Sequence, residues 1–143
     1  MSDTKLLIKL LRLKGIKITG FEFEKRDNEL HIAIKPYKTG CRCPTCDRRC
    51  SIVSTLKKRC WTDITILGRK VILCYAPREI NCPTHGRAQE EIPWAAHHAR
   101  VTYRLEYIVC SLSKIMTQKA AADILKMPTS TLSDILHLSL IHI

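Results

Sequence analysis

A chain of 143 residues with 45% hydrophobic composition can build one ordinary domain or two small ones around a modest core. Its formal charge of +11 favours a polyanionic partner, because lysine and arginine gain affinity for a phosphate backbone by releasing its counterions. No apolar run approaches the roughly 20 residues that span a bilayer. The stretch Leu6–Leu13, broken by Lys9 and Arg12, does not read as a secretion signal. No membrane partner is therefore expected, and the expected compartment is a reducing cytoplasm. There, eight cysteines imply metal or buried thiols rather than a disulfide framework.

In chain order, the spacing of Leu6, Leu7, Leu10, Leu11 and Leu13 predicts a short amphipathic helix over 4–14, ended by Gly15. Ile16, Ile18, Phe21 and Phe23, then Leu30, Ile32 and Ile34 in alternation, predict a hairpin turning at Asp27-Asn28. Residues 51–59 and 69–78 read as a second antiparallel pair, and 92–101 as a connector opened by Pro93. The period then changes: Leu105, Ile108, Val109, Leu112, Ile115 and Met116 recur at helical spacing behind Thr102, a candidate cap. Two further short helices follow to His137. The expected architecture is α+β. A helix and hairpin (1–40) and a zinc-ribbon-like β domain (41–91) precede the connector and a three-helix helix-turn-helix domain (102–137).

Charge follows the same division. Between Lys35 and Arg78 stand eleven basic residues against only Asp47 and Asp63. A solvated face accounts for a short charge run but less readily for a whole basic region.

Cys43-Pro44-Thr45-Cys46 is echoed, after 35 intervening residues, by Cys82-Pro83-Thr84-His85. A tight turn with two ligands three positions apart aims both inward, and two such turns complete the four corners of a structural zinc site. Cys43, Cys46, Cys82 and His85 are thus the expected ligands of one structural Zn2+ ion, with Cys41 and Cys50 close enough in sequence to substitute. In a domain this small the metal would supply folding free energy. A redox reading of the CPTC segment fits poorly, since no βαβ pattern surrounds it. Cys60, Cys74 and Cys110 lie in apolar or strand-like settings and read as buried thiols.

Gln118–Ile135 carries the second signal. Ala120, Ala121 and Ala122 permit close helix crossing, Pro128 stops the first helix, and Leu132 and Ile135 face back. Lys126 stands where a glycine is common. Thr129 or Ser130 is the expected cap of the second helix, which would turn Ser130, Thr131, Ser133, Asp134 and His137 outward toward bases or phosphates, with Thr129 also an expected DNA-binding residue. Arg100, Arg104, Lys114 and Lys119 offer phosphate contacts, the basic β region with Lys57, Lys58 and Arg59 is expected to hold phosphates as well, and Gln118 is a further expected DNA-binding residue. A helical hairpin without a ligand is the plain alternative.

These features in this order resemble the N-terminal region of the ISL3 family of insertion-sequence transposases. The resemblance runs over roughly residues 5–137, through the CPTC turn, Lys57–Ile64, Val71–Tyr75, Cys82–Gly86, Ala99–Thr102 and Gln118–Leu136. It departs at His85, where the family usually has cysteine, and at the additional Cys41. The resemblance implies binding of double-stranded DNA at an element's terminal inverted repeats. It also implies that cutting belongs to a separate RNase H-like domain with an acidic triad, as in a DDE-type transposase, and that any homodimer belongs to the full-length parent. Asp123 and Asp134 are isolated acids, so this chain is not expected to be an enzyme. A stand-alone transcriptional regulator and a zinc-stapled protein-interaction module are the rival functions. Leu138–Ile143 ends without a cap or charged turn and resembles a translated sequencing adapter, so it is expected to be a non-native tail.

Overall fold

The computed structural model describes residues 3–13, 15–36, 41–96 and 99–142, with side chains as far as Leu138. The chain is α+β, with two four-stranded sheets and four helices among these residues. Helix α1 (Asp3–Leu11) leads into β1 (Ile16–Glu24) and β2 (Glu29–Pro36). Next come β3 (Cys41–Arg42), β4 (Arg49–Thr55), β5 (Arg59–Ile66), β6 (Arg69–Tyr75), β7 (Arg78–Cys82) and β8 (Gly86–Gln89). Helices α2 (Tyr103–Ser113), α3 (Gln118–Leu125) and α4 (Thr129–His142) complete the order.

The first hairpin forms as its alternation requires. Leu30, Ile32 and Ile34 of β2 and Ile16 and Ile18 of β1 point into one core, and the turn occupies Lys25–Asn28. A register shift between Ile18 and Gly20 changes the face offered by β1, leaving Phe21 and Phe23 at the rim of that core.

The predicted pairing of 51–59 with 69–78 is corrected. Strand β6 pairs antiparallel with β5, a strand the sequence reading passed over, and parallel with β2, giving the order β1-β2-β6-β5. Strand β4 pairs with β7 in the other sheet, β3-β4-β7-β8. The physical reason lies at Asp63, which faces inward on β5 and breaks its apolar alternation, yet is only 1% exposed.

The predicted connector is no loose tether. Ile92, Trp94, Ala95, Ala96 and Ala99 are buried in the core of the first sheet, and Trp94 meets Trp61 and Tyr75 edge-on at 5.4 Å each. A separate core joins α2, α3 and α4 through Leu105, Val109, Ala121, Ala122, Leu125, Leu132 and Ile135. Ala121 and Ala122 are essentially inaccessible, as close helix crossing demands.

The caps explain the helix boundaries. Thr102 and Thr117 accept from the backbone N–H of Leu105 and Ala120 and so start α2 and α3. Lys126 ends α3 in the left-handed region (φ 54°, ψ 47°), the glycine-favouring position its sequence setting suggested. The predicted cap of α4 is corrected: Pro128 takes that place, its carbonyl accepting from Leu132, while Thr129 and Ser130 lie in the first turn. The backbone of α4 continues through Leu138 to His142, and the side chains of the expected tail beyond Leu138 lie outside the described residues.

The two cores meet along β5. Thr62 forms a parallel bridge with Val101, its N–H donating to the Arg100 carbonyl and its carbonyl accepting from Thr102, both at 3.0 Å. Buried Asp63 accepts from the Thr102 hydroxyl at 2.8 Å and from the Arg104 guanidinium, which also holds the Leu11 carbonyl at the end of α1.

Candidate functional site

Each cysteine-bearing turn closes a hairpin. Cys43–Cys46 lies between β3 and β4, and Cys82–His85 between β7 and β8. Because β4 and β7 are antiparallel neighbours, with Ser51 opposite Asn81, the start of one strand and the end of the other fall together. Sequence positions 36 apart are thereby brought into one cluster.

The four ligand atoms of Cys43, Cys46, Cys82 and His85 all lie within 4.8 Å of one another, and the group can hold a metal ion. Its edges fit. A tetrahedron with metal–sulfur bonds of about 2.3 Å and metal–nitrogen bonds of about 2.0–2.1 Å has edges of about 3.8 Å and about 3.6 Å. The observed Cys46–Cys82 sulfur separation is 3.7 Å, and His85 Nδ1 stands 3.7 Å from Cys43 Sγ and 3.6 Å from Cys82 Sγ. Burial resists ionisation of Cys82, but the backbone N–H groups of His85 and Thr84, with the His85 ring, pull its thiol down to about 6. A preformed thiolate is the state a metal needs. The Thr45 N–H donates to Cys43 Sγ at 3.4 Å, orienting a second ligand.

Of the two alternative cysteines, Cys41 is otherwise employed. Cys41 donates to Glu90 at 2.8 Å, and burial, followed by that carboxylate, pushes its thiol up to about 12. Cys50 stands beside Cys82, but its thiol donates to the Arg48 carbonyl at 3.2 Å. The buried-thiol expectation is corrected for Cys60, which is exposed, and for Cys110, which is half-buried; Cys74 is buried. Cys60 and Cys74 face each other across β5 and β6 with sulfurs 2.9 Å apart.

Behind the cluster lies a polar network the sequence reading missed. Glu90, 2% exposed, accepts from Cys41, the Tyr75 hydroxyl, and the Arg78 backbone and guanidinium. Burial alone would raise its pKa, yet these donors hold its carboxyl below the usual range. The network ties the metal-ligand sheet to Tyr75 of the other sheet.

The expected DNA-facing residues divide into two groups. Lys57, Lys58, Arg100, Gln118, Lys119, Thr129, Ser130, Thr131, Ser133 and His137 are exposed. Ser130, Ser133, Asp134 and His137 follow the 3, 4, 7 spacing of one helix face, opposite buried Leu132 and Ile135. Arg59 and Arg104 are corrected from free phosphate ligands to internal ties. Arg59 donates to Gln89 and the Ala99 carbonyl at 2.9 Å each and lies 4.9 Å over the Trp61 ring. Arg104 pairs with Asp63. No signal in the sequence marked Asp63 or Glu90, whose partners lie between 12 and 49 residues away.

Helices α2–α4 and the segment before them match a known domain, the helix-turn-helix domain of transposase family ISL3, over residues 90–139. This segment is thus similar to the helix-turn-helix regions of transposases. The chain is also 32% identical over 96 residues, 66% of its length, to the transposase for insertion sequence element IS1557 of Mycobacterium tuberculosis, in strains CDC 1551 / Oshkosh and ATCC 25618 / H37Rv alike. It spans 21% of those relatives. No solved structure matches it.

Proposed function

We propose that this chain is the DNA-binding part of an insertion-sequence transposase and that it recognises the terminal inverted repeats of its element. The observation that carries this reading is the coincidence of the matched segment, 90–139, with a helix pair whose second member bears an exposed polar stripe. In this reading the first half of α4 enters the major groove, where hydroxyl and imidazole groups of Ser130, Ser133 and His137 meet base edges. Lys57, Lys58, Arg100 and Lys119 hold phosphates and fix the register. The first part is zinc-ribbon-like and the helical part a three-helix helix-turn-helix domain.

The metal of the Cys43–Cys46–Cys82–His85 group is, in this proposal, one structural zinc. Three thiolates and an imidazole are the donor set zinc favours, and four protein ligands leave no place for a reactive water. Its role is to clamp two hairpin ends in a small sheet. Cutting is assigned to another part of a DDE-type parent, consistent with the 21% span of the relatives. Any homodimer belongs to that parent, and a bacterial cytoplasm is the compartment. Among the described residues, no helix is long and apolar enough to cross a membrane.

The test is selection of duplexes from a random pool, followed by gel-shift titration in rising salt. The expected result is a recurring duplex matching element ends, with affinity falling steeply as salt rises. Lys58→Ala should weaken all duplexes alike, whereas Ser130→Ala should change the preference between them. Recovery of a promoter-like site instead would favour a stand-alone regulator. Binding of an acidic protein but of no duplex would favour an interaction module.

A further inference from the structure

We infer that the β5–β6 hairpin and the turn after α3 together form a second DNA-holding element, which places the ammonium groups of Lys70 and Lys126 against the phosphates beside the first turn of α4. The inference rests on the DNA-binding reading above and adds a surface to it.

Three observations bring the hairpin to the end of the helix pair. The Thr65 hydroxyl donates to the Leu125 carbonyl at 3.4 Å, the last residue of α3. Gly68, in the left-handed region at φ +79°, lies beside the ammonium that the turn between α3 and α4 extends: a Cβ there would stand 3.1 Å from Lys126 Nζ. A cavity of about 120 Å³ is walled on one side by Thr65 and Lys70 and on the other by Met127, Pro128 and Thr131. Lys70 and Lys126 thus flank the entrance of α4 from two directions.

Helix and groove dimensions then fix what these cations meet. An α-helix with its side chains is about 10–12 Å across, and the major groove is about 12 Å wide. A helix whose first turn enters the groove fills it, so groups packed against the flank of that turn face the phosphates lining its edge. Among the described residues, no ion pair engages Lys70 or Lys126. Their neighbour Arg69, by contrast, is spent on the Asp27 carbonyl at 2.8 Å and the Phe23 ring. Leu67 at the hairpin tip is 91% exposed.

The experiment uses the whole chain, loaded with zinc, and two probes: a duplex recovered from the random pool and a duplex of unrelated sequence. Lys70→Gln with Lys126→Gln is compared with wild type, after metal content and circular dichroism establish an unchanged fold. The expected result is a similar loss of affinity for both probes and a salt dependence shallower by about 2 in the log–log slope. Phosphate-ethylation interference should fade at positions flanking the bases read by α4, and the Lys70→Arg, Lys126→Arg pair should restore it. Unchanged slope and interference in the glutamine pair, while Ser130→Ala still alters preference, would overturn the hairpin assignment alone. A wild-type chain that binds neither probe would overturn the DNA-binding reading and this one with it.

Discussion

Glu90 shows how one side chain serves two jobs. Its carboxylate accepts from Cys41, so that thiol stays out of the metal cluster, and it neutralises Arg78 in a setting where a lone charge would be costly. Because its pKa is held below the ordinary carboxylate value, its stabilising contribution is fully present above about pH 4.5 and fades as pH falls through the depressed folded value. Glu90→Gln should therefore lower stability by roughly 2–4 kcal/mol at pH 7. The gap between variant and wild type should narrow in acid, and chemical denaturation at several pH values measures both. For the ligands, Cys82→Ser should abolish metal retention and unfold the β3-β4-β7-β8 sheet, while His85→Cys, which supplies another tetrahedral thiolate, should keep the ion. Cys41→Ser should keep it too, as metal analysis after gel filtration would reveal. The four-residue cluster was legible because its spacing is local and repeated. What excludes Cys41 was not, because its partner is 49 residues away.

The elements were legible wherever the period was clean. Leu30, Ile32 and Ile34 announce β2, and the buried positions of α2 and α3 fall at helical spacing. Strand β5 escaped because Asp63 occupies an inward position, and because the Leu67-Gly68 turn lacks the Asn-Gly or Asp-Gly signature of a two-residue hairpin. The turn after α3 was legible in the opposite sense, through a residue that does not suit it. Lys126 adopts a left-handed conformation that costs a non-glycine residue about 1 kcal/mol. Lys126→Gly should accordingly raise the unfolding free energy by about that amount, and with it the melting temperature. If the ammonium meets phosphate as inferred, the same variant should bind duplexes more weakly. A rise in stability with undiminished duplex binding would show that the ammonium meets no phosphate.

Across the whole molecule, the division into a β-rich half and a helical half could be read from the change of period. The join could not, since Pro93 and an aperiodic stretch look like a tether while Trp94 and its alanine neighbours are in fact core. Asp63 is the pivot of that join. Asp63→Asn removes a charge from the Arg104 pair and weakens contacts to α1 and α2 together. It should cost about 3 kcal/mol and separate the unfolding of the halves. Both tryptophans sit in the first core, so their fluorescence follows the β body while far-ultraviolet ellipticity follows the helices. Wild type should show coincident curves by the two probes, and the variant two midpoints.

The bridge between Thr62 and Val101 has a consequence for measuring along a double helix. Two modules on a slack cord tolerate any spacing between the stretches they touch. A body whose sheet edge runs straight into its reading helices carries its contacts at one fixed pitch. Each base pair inserted between those stretches shifts them by about 3.4 Å and rotates them by about a tenth of a turn. Affinity should therefore oscillate with spacer length and recover near a full turn, as a ruler would, rather than decay smoothly.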